Sequence, residues 1–225
     1  MNDRLTIYSG PLSMFGAKVQ IAALEKGLHF DLIMVPYDSK RGYDPKHPEV
    51  LRINPKRQVP VLTHGDVEIF DSTQIFEYLE DLQPEPALWP RGPTARAIAR
   101  GLEHQSDEVY FPHIIRLMGL QDALDSEAAV TAIAAARGFY VEMDRRLASS
   151  EWLAGTYSFA DIAFYMAALF GERQSAPLTA VTPRLLDWRE RMTRRVPVRT
   201  VVGAMTRWLK DAGRPVPAFM TSTVD

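Results

Sequence analysis

The segment Asn54-Pro55-Lys56-Arg57-Gln58-Val59-Pro60-Val61-Leu62 sets a proline second in a run that otherwise has strand character. Proline cannot donate to a β ladder, so that position is unfavourable. Two readings account for it. The strand is an edge strand that begins with proline, or Val59-Pro60 is a cis bond whose turn presents the preceding N–H and C=O sideways to an extended peptide ligand. Asp71-Ser72, twelve residues after Val59, opens a helix. Both residues are good N-terminal caps, and the free N–H groups and dipole of that helix end attract a carboxylate. Taken singly the pair is an ordinary cap. Taken together, the two segments describe a place for a peptide backbone beside a place for its terminal carboxylate.

The composition narrows the chemistry. Cysteine is absent from the 225 residues, which removes disulfide frameworks, Cys-ligated metal and any protein thiol nucleophile. His29, His47, His64, His104 and His113 show no metal-ligand spacing, so no metal is expected. Lys+Arg 26 against Asp+Glu 28 leaves no basic surplus for nucleic acid. The start, MNDRLTIYSG, lacks the pattern of a secretory signal, and no window approaches a membrane span. A cytoplasmic protein with no nucleic-acid or membrane partner is the expectation.

The elements that must position these residues fall into two groups. Residues 5–9 are an apolar run stopped by Gly10-Pro11, a strand. Val19, Ile21, Ala22, Leu24 and Leu28 keep helical spacing, with Gly27 as the C-terminal cap. Residues 30–37 form a second strand, 38–54 are irregular with one helical turn near 48–53, and 59–70 divide at His64-Gly65-Asp66 into a hairpin. A helix follows to about Leu82. The order is β-α-β, an irregular segment, then β-β-α. The proline-rich stretch 84–93 reads as a linker. Everything beyond it has helical character, at about 94–122, 127–149, 158–172, 183–195 and 198–212, before a tail expected to be loop. The expected fold class is α/β plus all-α, with domains 1–83 and 94–225. The solvated charges are expected to include Lys18, Lys40 and Arg52.

The motifs resemble those of the cytosolic glutathione transferases. NPKRQVPVL is similar to the family's Asn-Pro-x-x-x-Val-Pro-x-Leu, and DSTQIFEYLED to its Glu/Asp-Ser-x-x-Ile-x-x-Tyr-Leu helix. Leu153-Ala154-Gly155-Thr156-Tyr157-Ser158-Phe159-Ala160-Asp161-Ile162-Ala163 resembles its Leu-x-Gly-x-x-x-Ser/Thr-x-Ala-Asp-Ile-Ala motif, in which Ser158 and Asp161 form a reciprocal helix cap rather than a site. Trp188…Arg191-Met192…Arg195-Val196-Pro197 is similar to the family's Trp-x-x-Arg-Met-x-x-Arg-Pro run, the proline displaced by one position. Arg57-Gln58 ahead of Val-Pro resembles the theta and zeta classes.

The resemblance implies a thioredoxin-like N-terminal domain, an all-helical C-terminal domain, glutathione as cosubstrate and a homodimer. By it, Val59 with Pro60 pairs with the cysteinyl part of glutathione, Asp71 and Ser72 take the γ-glutamyl end, and Arg57 and Gln58 reach its carboxylates. Tyr8, Ser9 and Ser13 compete for the role of activating the thiol. In Ser-type members the serine lies six positions before the valine of the helix's Val-Arg-Ile segment, which Val19-Gln20-Ile21 matches, so Ser13 is the expected residue and Tyr8 the runner-up. Ser13 acting as no more than a helix cap stays open. The same likeness points to Leu12, Met14, Phe15, Tyr110, Phe111 and Ile114 around an apolar electrophile, although a helical stripe such as Tyr110–Phe111–Ile114 also suits a core. The implied activity is transfer to the glutathione thiol; a glutathione-dependent isomerase or ether- or halide-cleaving enzyme, or a non-catalytic binding protein on the same fold, are the alternatives.

Overall fold

The computed structural model describes residues 4–38, 40–43 and 46–223. Strand β1 (Thr6–Ser9) leads to helix α1 (Met14–Glu25), strand β2 (Asp31–Met34) and helix α2 (Pro48–Ile53). The hairpin β3 (Val61–His64) and β4 (Val67–Phe70) precedes α3 (Ser72–Leu82). Then come α4 (Pro93–His104), a π-helical turn (Gln105–Tyr110), α5 (Phe111–Met118), α6 (Glu127–Arg146), α7 (Phe159–Arg173), α8 (Pro183–Arg194), α9 (Val196–Asp211) and α10 (Ala218–Thr221).

The four strands form one sheet in the order β2-β1-β3-β4, with β1 parallel to β2 and antiparallel to β3. Alternation along β1 sends its side chains to opposite faces. Ile7 joins Val19 and Ala23 of α1 and Ile75 and Leu79 of α3 on one face. Tyr8 joins Val35, Val50 and Val61 on the other, beneath α2. This is the thioredoxin-like arrangement that the resemblance implies.

The chain divides into two compact units, and the boundary differs from the expected 1–83 and 94–225. The first comprises Met1–Ala87, Val196–Arg214 and Met220–Asp225; the second comprises Leu88–Arg195 and Pro215–Phe219. Helix α9 packs on α1 and so belongs with the sheet. Nothing in its helical periodicity distinguishes a helix that covers a sheet domain from one in a bundle. The tail, expected to be loop, contains α10, whose Met220 is fully buried.

The expected linker 84–93 is tied down at both ends. Lys26, wholly buried, donates through Nζ to Gln83 O at 2.7 Å and Pro86 O at 3.1 Å and pairs with Glu80 at 2.5 Å. Within the second unit Leu88 O accepts from Phe159 N at 2.9 Å, and Trp89 sets its ring edge-on to Phe159. The prolines mark a segment without periodicity, and these bonds anchor it through the Pro86 and Leu88 oxygens.

The second unit is built around α7, which is buried along nearly its whole length. Its start is the expected cap: the Asp161 carboxylate accepts from Ser158 N at 3.0 Å, and also from Leu153 N at 3.0 Å and Trp188 Nε1 at 2.9 Å. The expected single helix 94–122 is interrupted by the π turn at Gln105–Tyr110 and ends at Met118.

Candidate functional site

Strand register decides which segments meet. Tyr8 lies opposite Val61, Val61 opposite Phe70, and Ser9 opposite Met34. The end of β1, the end of β2, the start of β3 and the end of β4 therefore share one end of the sheet. The segments leaving or entering there are the 10–13 loop with Ser13, the loop that follows β2, the 54–60 turn with Val59-Pro60, and Asp71-Ser72. Four stretches far apart in sequence are brought to one edge by the ladder alone.

Ser13 caps α1. Its backbone is extended (φ −101°, ψ 110°) and its Oγ accepts from Gly16 N at 2.9 Å. A serine hydroxyl accepts and donates at once, so this cap leaves the Ser13 proton for a second partner. The positive end of the α1 dipole lies at the same point and favours an anion there. The cap reading and the thiol-activating reading are thus compatible.

The other two hydroxyls have different settings. Ser9 is fully buried, and its Oγ accepts from Gln20 Nε2 at 2.8 Å. Tyr8 turns to the α2 face, away from α1, with its ring 5.0 Å from that of His47. Burial, followed by the charge of Glu49, pushes its phenol above its ordinary value.

Asn54 organises the 54–60 turn. Its side chain is nearly inaccessible; Nδ2 donates to Gln58 O at 2.6 Å, Oδ1 accepts from Lys56 N at 2.9 Å, and its carbonyl accepts from Arg57 N at 2.8 Å. These bonds hold Arg57 in the left-handed region (φ 55°), where non-glycine residues are uncommon. The Arg57 and Gln58 side chains are exposed. Val59-Pro60 is cis, one of the two readings of the sequence, and the β3 ladder begins only at Val61.

Asp71 also has a positive φ (75°), a conformation that costs a non-glycine residue on the order of 1–3 kcal/mol. Its Oδ1 accepts from Thr73 N at 3.0 Å and Gln74 N at 3.3 Å. The carboxylate of Asp71 thereby occupies two of the free amides of α3. Ser72, the first residue of α3, is buried directly behind it.

The residues expected around an electrophile divide. Leu12 and Phe15 are half-buried beside Ser13, whereas Met14 is 2% exposed and faces the interior. Tyr110, Phe111 and Ile114, expected around the electrophile, are buried side chains packed within the second unit. The Tyr110 ring lies 5.3–5.6 Å from those of Phe139, Tyr140 and Phe164, and Phe111 meets Phe170 at 6.0 Å. That helical stripe is spent on α6 and α7. Lys18, expected in solvent, is likewise fully buried, with Nζ over the Phe15 ring at 5.6 Å. Arg52 is exposed but bridges Glu49 and Glu68, each at 2.6 Å.

Two residues near Ser13 were given no role by the sequence. Gln20 holds Ser9 from α1, and Tyr43 Oη accepts from Leu12 N at 3.1 Å. Among the described residues no group of His, Cys, Asp or Glu could hold a metal ion, and no helix is long and apolar enough to cross a membrane.

Comparison with known proteins agrees with this geometry. Residues 7–87 match the model of the glutathione S-transferase N-terminal domain. A stringent starvation protein A homolog from Coxiella burnetii is 33% identical over 109 residues, so the match spans about half of each chain (48%). Glutathione S-transferase Z2 of Arabidopsis thaliana is 33% identical over 175 residues, 74% of this chain and 73% of that protein. Among solved structures, a glutathione S-transferase from the Antarctic clam Laternula elliptica superposes with a TM-score of 0.77 at 24% identity, covering 88% of this chain and 91% of the other. With an interior of this topology and a relative matched across nearly three quarters of its length, the chain belongs to the glutathione S-transferase family.

Proposed function

We propose that this protein is a Ser-type glutathione transferase that conjugates glutathione to a small, mainly apolar electrophile. The observation that carries this reading is the shared sheet edge. It gathers a hydroxyl with an uncommitted proton (Ser13), a cis-proline turn that precedes a strand (Val59-Pro60) and a helix start with a buried serine (Ser72).

In this reading the backbone of Val59 pairs with the cysteinyl unit of glutathione, Ser72 receives the γ-glutamyl carboxylate, Asp71 faces its ammonium, and Arg57 and Gln58 lie within reach of a carboxylate. A thiol near pKa 8.5 is only about 3% thiolate at pH 7. A hydrogen bond to a charged group is worth roughly 1.5–3 kcal/mol, enough to lower that pKa by about one to two units. Donation from Ser13 Oγ, aided by the α1 dipole, raises the thiolate to roughly a quarter to three quarters of the bound glutathione. The thiolate sulfur then forms a bond to an electrophilic carbon as the leaving group departs with the electron pair, and the thiol proton passes to solvent. The enzyme itself forms no covalent intermediate. Cytoplasmic location and a homodimer complete the reading by family likeness.

Arg57-Gln58 ahead of Val59, by its zeta-like character, points to a second glutathione-dependent chemistry, isomerisation, which uses the same first half of the site. Calorimetric titration with reduced glutathione, repeated on Ser72→Ala and Ser13→Ala, tests both. The expected result is binding in the micromolar-to-millimolar range that Ser72→Ala weakens and Ser13→Ala retains, with the thiolate absorbance lost in the latter. An absence of binding at millimolar glutathione rejects the reading and leaves the fold a binding module.

A further inference from the structure

We propose that Tyr43 is a positioning residue for the thiol-activating loop: its phenol oxygen fixes the Leu12 amide and, through it, the direction of the Ser13 hydroxyl. This rests on the function proposed above.

The loop itself is short and closed. Ser13 N donates to Gly10 O at 3.1 Å, making a single turn between the end of β1 and the start of α1. Leu12 N, which lies ahead of the α1 ladder and has no carbonyl there to pair with, donates to Tyr43 Oη at 3.1 Å across 31 residues of sequence. The Tyr43 ring rests on the bare backbone of Gly10, where an added Cβ would fall 2.5 Å from both Cζ and Oη. The side chain therefore contacts the loop at its first residue and at the residue before Ser13. Glycine is required at position 10 because the ring takes the space of a side chain.

Tyr43 is itself held. Asp38 and Gly42 exchange backbone hydrogen bonds of 2.7 and 2.8 Å and fold the segment just before it. Its ring meets Tyr37 edge-on at 5.0 Å, and Tyr37 meets Trp208 of α9 edge-on at 5.6 Å. The guanidinium of Arg214 covers both Tyr37 and Trp208, at 5.5 and 5.9 Å. An aromatic row thus runs from α9 to the loop that carries Ser13, all within the first unit. Edge-to-face contacts of this kind are directional, so the row defines where the Tyr43 oxygen sits.

The consequence is chemical. A hydrogen bond to a thiolate weakens steeply as the donor angle degrades. Removing the Tyr43 oxygen frees the Leu12 amide, loosens the turn and misdirects the Ser13 hydroxyl without altering the ring contacts that support the fold.

The test compares the ultraviolet thiolate absorbance of bound reduced glutathione, titrated with pH, for the wild type, Tyr43→Phe, Gly10→Ala and Ser13→Ala. Amide exchange at Leu12 is measured in the same proteins without ligand. In Tyr43→Phe the bound thiol's pKa is expected to rise by roughly half a unit to one unit, with kcat at pH 7 falling about 1.5- to eightfold as the thiolate fraction drops, and KM for glutathione little changed. The Leu12 amide exchanges faster. Gly10→Ala, whose added Cβ displaces both the ring and the phenol oxygen of Tyr43, shifts the titration in the same direction. If Ser13→Ala raises the thiol pKa but Tyr43→Phe leaves it at the wild-type value, Tyr43 is not a positioning residue and the transferase reading stands. Faster exchange at Leu12 with an unmoved titration likewise rules out a positioning role. If the wild type binds no glutathione, or Ser13→Ala leaves the titration unmoved, the transferase reading fails and the role of Tyr43 with it.

Discussion

Gln20 Nε2 donates to Ser9 Oγ at 2.8 Å between α1 and β1, and the two residues pinch Gly16 between them. Gln20 Nε2 also donates to Gly16 O at 3.2 Å, while a Cβ on Gly16 would overlap Ser9 Oγ and lie 3.0 Å from Ser13 Oγ. Gly16 N is the donor that Ser13 caps, so the residue links both serines. Gly16→Ala must displace the Ser9–Gln20 pair or tilt the first turn of α1. A loss of about 1–3 kcal/mol is expected, despite alanine's better helix propensity, together with weakened thiolate formation. Chemical denaturation alongside the thiolate absorbance checks both parts. A stabilised Gly16→Ala protein would show that the pair yields easily.

Asp161 offers a pH test of the second unit. Its burial outweighs the bonds from Leu153, Trp188 and Ser158 and pushes the carboxyl up to about 6. The unfolded chain has a value near 3.9, so the folded state holds the proton more tightly. Stability from this group is full below about pH 4 and is lost as pH rises through about 6. Asp161→Asn removes the titration and, because its amide nitrogen faces N–H donors, is destabilised by roughly 2–4 kcal/mol in acid. Denaturation of both proteins between pH 4 and 7 is expected to show the wild-type advantage narrowing as pH rises; an advantage that widens would contradict the assignment.

The Tyr110–Tyr140 pair makes a directed chain in the interior. Tyr140 Oη donates to Ala176 O at 2.7 Å and lies 2.5 Å from Tyr110 Oη, which leaves Tyr110 as the donor between the two. Burial holds both phenols well above their ordinary range. Tyr140→Phe strands a carbonyl and a hydroxyl together and is expected to cost about 2–4 kcal/mol. Tyr110→Phe removes only the outer donor, so its cost should be smaller. Equal losses in urea denaturation would refute the direction of the chain.

Lys26 is expected to be more sensitive than a surface lysine. Its ammonium joins the end of α1 to Glu80 of α3 and to two carbonyls of the proline segment. Lys26→Met keeps the apolar stem but takes the ammonium away from Glu80 and the two carbonyls, an expected loss of about 3–5 kcal/mol. Because the pair is shielded from solvent, its contribution should change little between low and high salt. A thermal scan at two ionic strengths measures both; a loss under about 1 kcal/mol would mean that water replaces the ammonium.

Local chemistry made much of this protein legible from sequence. Gly10-Pro11 stops β1, Ser13 and Asp71 cap helices, and His64-Gly65-Asp66 turns a hairpin; each is a preference of a few adjacent residues, whereas proline after Val59 left the cis bond as one of two readings. The reciprocal cap at Ser158 and Asp161 was readable for the same reason. Tertiary structure alone decided the rest. Periodicity shows that a helix has an apolar face but not what covers it, so Tyr110 and Ile114 went to the core of the second unit and α9 joined the sheet. Lys26 is buried because Glu80, Gln83 and Pro86, distant in sequence, enclose its ammonium. Tyr43 meets Leu12 across 31 residues, a contact set by strand register and the β2–α2 loop, and neither leaves a trace in the local pattern.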